Sequence, residues 1–325
     1  MVSIRRPGGG LVTLGESLAV LGTAEPGPLH VGASMRFSFA GAESTVAIGV
    51  ARLGHPAGWI GRVGADEPGR VIRTQLLAEG VTPAGVHVDT EAPTAILVKQ
   101  SRTADQTRVT YRRTGSAGSR LCGDDLPAEL IASAGVLHTS GITPILSDSA
   151  AEAVNAAITV GRDAGTCVSF DVNYRAALWS RETAMPVLRE LAERADIVFA
   201  GPDELAMISG CGRDPDELFD AARQLLDRGV AEVVVKDGAN GAWTVTAEDI
   251  HRRPARVVTV VDPVGAGDAF AAGYLSAVLD ELPIPDRLSR GALLGAVCVG
   301  TRGDWEGLPY RDELADLAAE YDVLR

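Results

Sequence analysis

Aromatic residues are scarce, at 5% of 325 residues, so the core of this chain must be built from smaller apolar side chains. Cysteine is sparse too: Cys122, Cys167, Cys211 and Cys298 are scattered, without metal-site spacing. Cys167 and Cys298 lie in apolar runs and read as reduced core thiols, which points to a cytoplasmic compartment. Positive charge is in deficit. The formal net charge of −13 argues against a nucleic-acid partner, which would need a basic face. No uncharged run is long enough to span a bilayer, so no membrane partner is expected. Arg5-Arg6 is followed by Pro7-Gly8-Gly9-Gly10, and Glu16 interrupts the next apolar run, so a signal peptide is not expected. A Walker-type loop ending in Gly-Lys-Ser/Thr is also missing.

What remains is a chain rich in Ala, Gly and Val in which strand-like and helix-like patterns alternate. That alternation predicts an α/β fold: a mainly parallel sheet covered by helices. Leu11–Gly15, Ala57–Val63, Gly135–Thr139, Cys167–Asp171, Asp196–Ala200 and Ala231–Lys236 read as strands. Helices are expected at Gly41–Leu53, Asp66–Ala78, Ser147–Arg162, Arg181–Glu193 and Asp214–Arg228, after Gly265, near Leu288–Gly300, and over Arg311–Ala319. Val31–Phe39 alternates with period two, and Thr94–Gln100 with Thr107–Arg113 reads as a hairpin around Ser101–Gln106. Strands inserted at about 29–39 and 94–113 suggest a small β-sheet lid on a single domain spanning 1–325. Edge strands of the main sheet would give the same pattern.

The most informative stretch runs from Asp262 to Tyr274. A β-branched run, Val257–Val261, feeds a glycine turn, and an Ala-rich helix pattern begins at once. Gly265 and Gly267 let the backbone approach a ligand without a Cβ in the way. The first N–H groups of the helix lack intrahelical partners and form an anion cradle. A carboxylate inside that cradle, Asp268, is placed to take a proton from a hydroxyl attacking a phosphoryl group. It would also serve simply as a first-turn acid complementing the helix dipole.

Other polar residues fall at the carboxyl ends of the expected strands, where open parallel sheets bind ligands. Lys236-x-Gly238-x-x-Gly241 suits a nucleotide phosphate or ribose, or an ordinary turn. Arg175, just after Asn173, suits an oxyanion clamp or a salt bridge to a neighbouring helix. Glu204, with Asp203, suits a magnesium ion held through water, and equally an acidic helix N-terminus.

Asp262–Tyr274 resembles the signature of the ribokinase-like (PfkB) carbohydrate kinases, and the likeness extends over almost the whole chain. Gly41-Ala42-Glu43, Gly115-Ser116-Ala117-Gly118-Ser119, Asp171-Val172-Asn173-Tyr174-Arg175 and Arg302-Gly303-Asp304-Trp305 are most similar to the 2-keto-3-deoxygluconate kinases. The resemblance implies a Rossmann-like three-layer core and a β lid that mediates contacts in a homo-oligomer. It implies ATP and Mg2+, leaves room for a monovalent cation, and makes a sugar acid the small-molecule partner. Asp268 is then the base, and Gly265, Ala266 and Gly267 form the anion hole. Asn173, Arg175, Lys236, Gly238 and Gly241 line the nucleotide. Gly41, Ala42, Tyr111, Arg113, Arg175, Asp268 and Asp304 hold the sugar, and Glu204 serves the metal. The chain departs from the family pattern at Thr45, Leu97, Gly201 and Ala292.

Overall fold

The computed structural model describes residues 9–103 and 106–319. Arg5-Arg6 with Pro7-Gly8, and residues 104 and 105 of the expected hairpin turn, lie outside that range. The strands are β1 (Leu11–Leu14), β2 (Leu18–Thr23), β3 (Met35–Ala40), β4 (Ala57–Gly64), β5 (Val81–Asp89), β6 (Ile96–Ser101), β7 (Thr107–Arg112), β8 (Val136–Ser140), β9 (Cys167–Asp171), β10 (Ile197–Ala200), β11 (Glu232–Lys236), β12 (Ala242–Val245) and β13 (Ile250–Arg253). The helices are α1 (Ala42–Arg52), α2 (Glu67–Ala78), α3 (Ala128–Ser133), α4 (Asp148–Ala164), α5 (Arg181–Glu193), α6 (Pro202–Ser209), α7 (Pro215–Asp227), α8 (Ala266–Leu279), α9 (Ile284–Val299) and α10 (Leu314–Ala318).

Nine strands form one sheet in the order β13-β12-β11-β10-β9-β8-β1-β4-β5. Every pairing from β11 through to β5 is parallel; β12 and β13 are added antiparallel at one edge. Continuous burial along β1, β8, β9 and β10 shows both faces covered, the mark of a parallel α/β sheet. One core joins the sheet to α3–α7 and contains Val154, Phe170, Leu188 and Val235. The other joins it to α1, α2, α8 and α9 and contains Trp59, Phe199, Phe270 and Tyr274. Phe199 meets Tyr274 edge to face at 5.4 Å.

A second, four-stranded sheet has the order β3-β2-β6-β7. It is separate from the main sheet, so the inserted strands are not edge strands of the core. It also holds a strand the periodicity did not single out, β2, which pairs with both β3 and β6. The strand expected from Val31 begins only at Met35, because residues 31 and 32 form a turn. Val257–Val261 joins neither sheet. It runs without regular structure, and Val257, Val258, Val260 and Val261 are exposed. Among the described residues no helix is long and apolar enough to cross a membrane.

Candidate active site

The carboxyl ends of β9 and β11 and the N-terminus of α8 meet at one rim. Gly265 caps α8 in the left-handed region, with φ 78°, a conformation that glycine adopts without strain. A Cβ there would also come within 2.6 Å of the Asp304 carbonyl oxygen. The turn therefore seats the Asp304 loop directly on the cradle. At Gly267 a Cβ would stand 3.3 Å from Lys236 Nζ, so the missing side chain leaves room for the lysine.

Asp268 is half-buried in the first turn of α8, and its carboxyl is pushed up to about 6 by burial and by the nearby Asp171 carboxylate. Lys236 and Arg175 oppose that rise. Asn173 Nδ2 donates to Asp268 Oδ1 at 3.4 Å, and Asn173 itself takes φ 40°. That left-handed backbone aims its amide at the acid. Arg175 is exposed.

Lys236, the last residue of β11, donates to Asp171 Oδ2 and lies 5.9 Å from the Phe199 ring centre. Burial pushes its ammonium pKa down, but Asp171 and Glu204 more than offset this and raise it. Lys236 is thus a fixed cation. Asp171, missed as a site residue by sequence reasoning, closes an apolar strand; a carboxylate ending such a run is the signal that could have found it.

Glu204 accepts from the backbone N–H of Tyr174 at 2.8 Å and of Gly201 at 2.6 Å. The acidic-helix-start reading is therefore realised: Glu204 caps α6, with Gly201 as N-cap. Burial and Asp171 raise its pKa. Asp203 turns away and pairs with Arg213 at 3.0 Å. No cluster of three metal-ligating side chains exists among the described residues. Magnesium needs only one or two protein carboxylates when it keeps water and phosphate ligands. Asp171 Oδ1, buried without a hydrogen-bond partner, beside Glu204, fits such an ion.

The residues expected to hold the sugar form a second group. A Cβ on Gly41 would overlap the Glu16 carbonyl oxygen, and Ala42 is buried. Arg113 donates to the buried Glu16 carboxylate and lies 5.4 Å from the Tyr111 ring centre. Arg113 therefore has an internal acidic partner, although its Nε remains buried without an acceptor. Asp304 is pushed up to about 7 by burial and by Asp268. Glu43 accepts from Ser140 at 2.7 Å and Thr143 at 2.9 Å, and burial pushes it up to about 7, with Asp268 contributing.

The glycines after Lys236 differ. Gly238 has φ 52° and open space around its Cα, whereas Gly241, at φ 103°, packs against the Arg253 carbonyl. Packing alone demands glycine at 241. Thr45 has a buried Oγ1 without a hydrogen-bond partner.

The pattern defining the pfkB family of carbohydrate kinases matches residues 10–311. A 2-dehydro-3-deoxygluconokinase of Bacillus subtilis is 39% identical over 317 residues, 96% of each chain. One of Thermoproteus tenax is 38% identical over 311 residues, covering 94% of this chain and 93% of its own. The structure of an Escherichia coli protein described as a putative ribokinase II, in complex with ATP and Mg2+, superposes with a TM-score of 0.87 at 25% identity, covering 95% of this chain and 98% of that one. The chain belongs to the pfkB family of carbohydrate kinases, and its chemistry is phosphoryl transfer to an alcohol.

Proposed function

We propose that this protein transfers the γ-phosphoryl group of ATP to the primary hydroxyl of 2-keto-3-deoxygluconate, giving 2-keto-3-deoxy-6-phosphogluconate. The carrying observation is Asp268: a half-buried carboxyl, pushed up to about 6, in the first turn of α8 beside Asn173 and Lys236. The names of the two relatives, which denote the same sugar acid, support the substrate.

In this reading Asp268 accepts the hydroxyl proton as the oxygen attacks phosphorus. The N–H groups of Gly265, Ala266 and Gly267 and the Lys236 ammonium stabilise charge on the phosphoryl oxygens, the main demand of phosphoryl transfer. Asn173 orients Asp268, and the Lys236–Gly241 turn and Arg175 receive the nucleotide. Magnesium, when bound, neutralises phosphate charge; Glu204 and Asp171 would hold it through water. Gly41, Ala42, Tyr111, Arg113 and Asp304 line the sugar side. A second copy covering exposed Met35 and Phe37 on the lid sheet accounts for an oligomer.

One observation favours a second reading. Glu16 already neutralises Arg113, and a buried substrate carboxylate needs a cation of its own; a neutral keto sugar such as fructose does not. A panel of sugars in a coupled ADP-release assay decides between them. We expect the sugar acid to give the highest kcat/KM; faster turnover of fructose overturns the assignment.

A further inference from the structure

A cavity of about 500 Å³ has its aromatic wall on the other face of the sheet from Lys236, although Ala242, which pairs with Lys236, also borders it. The strand register fixes this. Lys236 pairs with Ala242 and Val235 with Trp243 across β11 and β12, and directly paired residues point to the same face. Ala242 belongs to the core with Phe199 and Phe270. Val235 and Trp243 pack with Leu218 and Phe219 in the other. Trp243 and Phe219, ring centres 4.7 Å apart, form the apolar wall of the cavity.

The charged part of its lining is mostly cationic, in a protein of net charge −13. Arg213, Arg252 and Arg253 all line it, with Asp237 the one carboxylate among the lining residues. Arg213 pairs with Asp203, and Arg252 lies 5.0 Å from the Phe219 ring centre. Neither Arg252 nor Arg253 has an ion pair among the described residues. The volume is that of a small-molecule site, and guanidinium groups, with Arg252 over the Phe219 ring, suit an oxyanion attached to an organic body.

The geometry points to a second binding site, separate from the reaction centre, for a small organic anion bearing phosphate or carboxylate groups. Asp237 and Asn240 line it, and both belong to the turn proposed to receive the nucleotide. An occupant there would touch the back of that turn. The site rests on its own lining and not on the identity of the sugar.

The test reads binding, so it is independent of turnover. Trp243 is half-exposed at the cavity, whereas Trp59, Trp179 and Trp305 are buried. Tryptophan emission is titrated with glucose 6-phosphate, with citrate, and with glucose as the neutral control, with and without saturating ATP. We expect a saturable change with glucose 6-phosphate or citrate but not glucose, persisting with ATP and lost in Trp243→Phe. The double variant Arg252→Gln/Arg253→Gln, both exposed positions, should weaken the anion about ten-fold or more. Phosphate and carboxylate ligands are separated by which of the two anions saturates. No saturable response to either anion, an undiminished response in the double variant, or its abolition by ATP would each overturn the second site.

Discussion

Lys99 Nζ on lid strand β6 lies 2.5 Å from Asp262 Oδ2 in the turn before α8, across 163 positions of sequence. The same turn is held from within, where Val264 N–H donates to Asp262 Oδ1 at 3.3 Å. The ion pair thus ties the lid to the segment carrying the anion cradle. Trp305 Nε1 donates to the Phe39 carbonyl at 3.1 Å, a second tie from β3 to the Asp304 loop. Lys99→Ala should lower kcat/KM by roughly ten-fold, since a partly buried charge loses its partner, and Lys99→Arg should recover part of that loss. Steady-state kinetics with unchanged kcat/KM in Lys99→Ala would show that this tie does not serve catalysis.

The pH dependence follows from Asp268. Burial first, then Asp171, holds its carboxyl at about 6. A base must be ionised, so kcat/KM should rise with pH and level off above about 6. Arg175 lowers this pKa, so Arg175→Ala should move the acid limb to higher pH. A rate that stays flat down to pH 4.5 contradicts the assignment.

Glu43 gives a stability prediction of opposite sense. Its carboxyl is raised from 4.5 to about 7 by burial, so the folded state binds more protons than the unfolded state across that interval. The stabilising contribution is complete below the unfolded value and is lost as pH rises through about 7. Glu43→Gln keeps an acceptor for Ser140 and Thr143 and cannot ionise. Its thermal midpoint should match the parent near pH 4 and exceed it by several degrees at pH 8. A gap that does not grow with pH removes this account of Glu43.

Arg113 tests the sugar acid. Arg113→Lys keeps a positive charge for Glu16 but loses the planar fork. Its kcat/KM should fall about ten-fold more for 2-keto-3-deoxygluconate than for fructose. Equal losses, measured on the same preparation, would separate Arg113 from carboxylate recognition.

The central strands and the helix after Gly265 were legible because local patterns and burial agree there. β9 and α5 have the bounds the periodicity gives. Strand β5 escaped because Pro83 and Gly85 read as breakers, although an edge strand with an irregular register tolerates both. Strand β2 escaped because Leu18–Thr23 follows closely on the first apolar run. The overlong Val31 strand shows the converse error, where alternation continues through a turn. Candidate site residues could be picked out where a charge ends a strand, as at Lys236, or follows a glycine turn into a helix, as at Asp268. Glu16, Lys99 and Asp171 were not, because their roles lie in partners 97, 163 and 65 positions away.

Asp268 carries the proposed chemistry, and Asp268→Asn is its most direct test because the amide keeps the shape and loses the basic oxygen. Turnover of 2-keto-3-deoxygluconate is to be measured at saturating ATP, with ATP and sugar binding followed separately by calorimetry. The predicted result is a loss of about 10²–10⁴ in kcat with both affinities nearly unchanged. A variant that turns over at close to the parent rate contradicts the account.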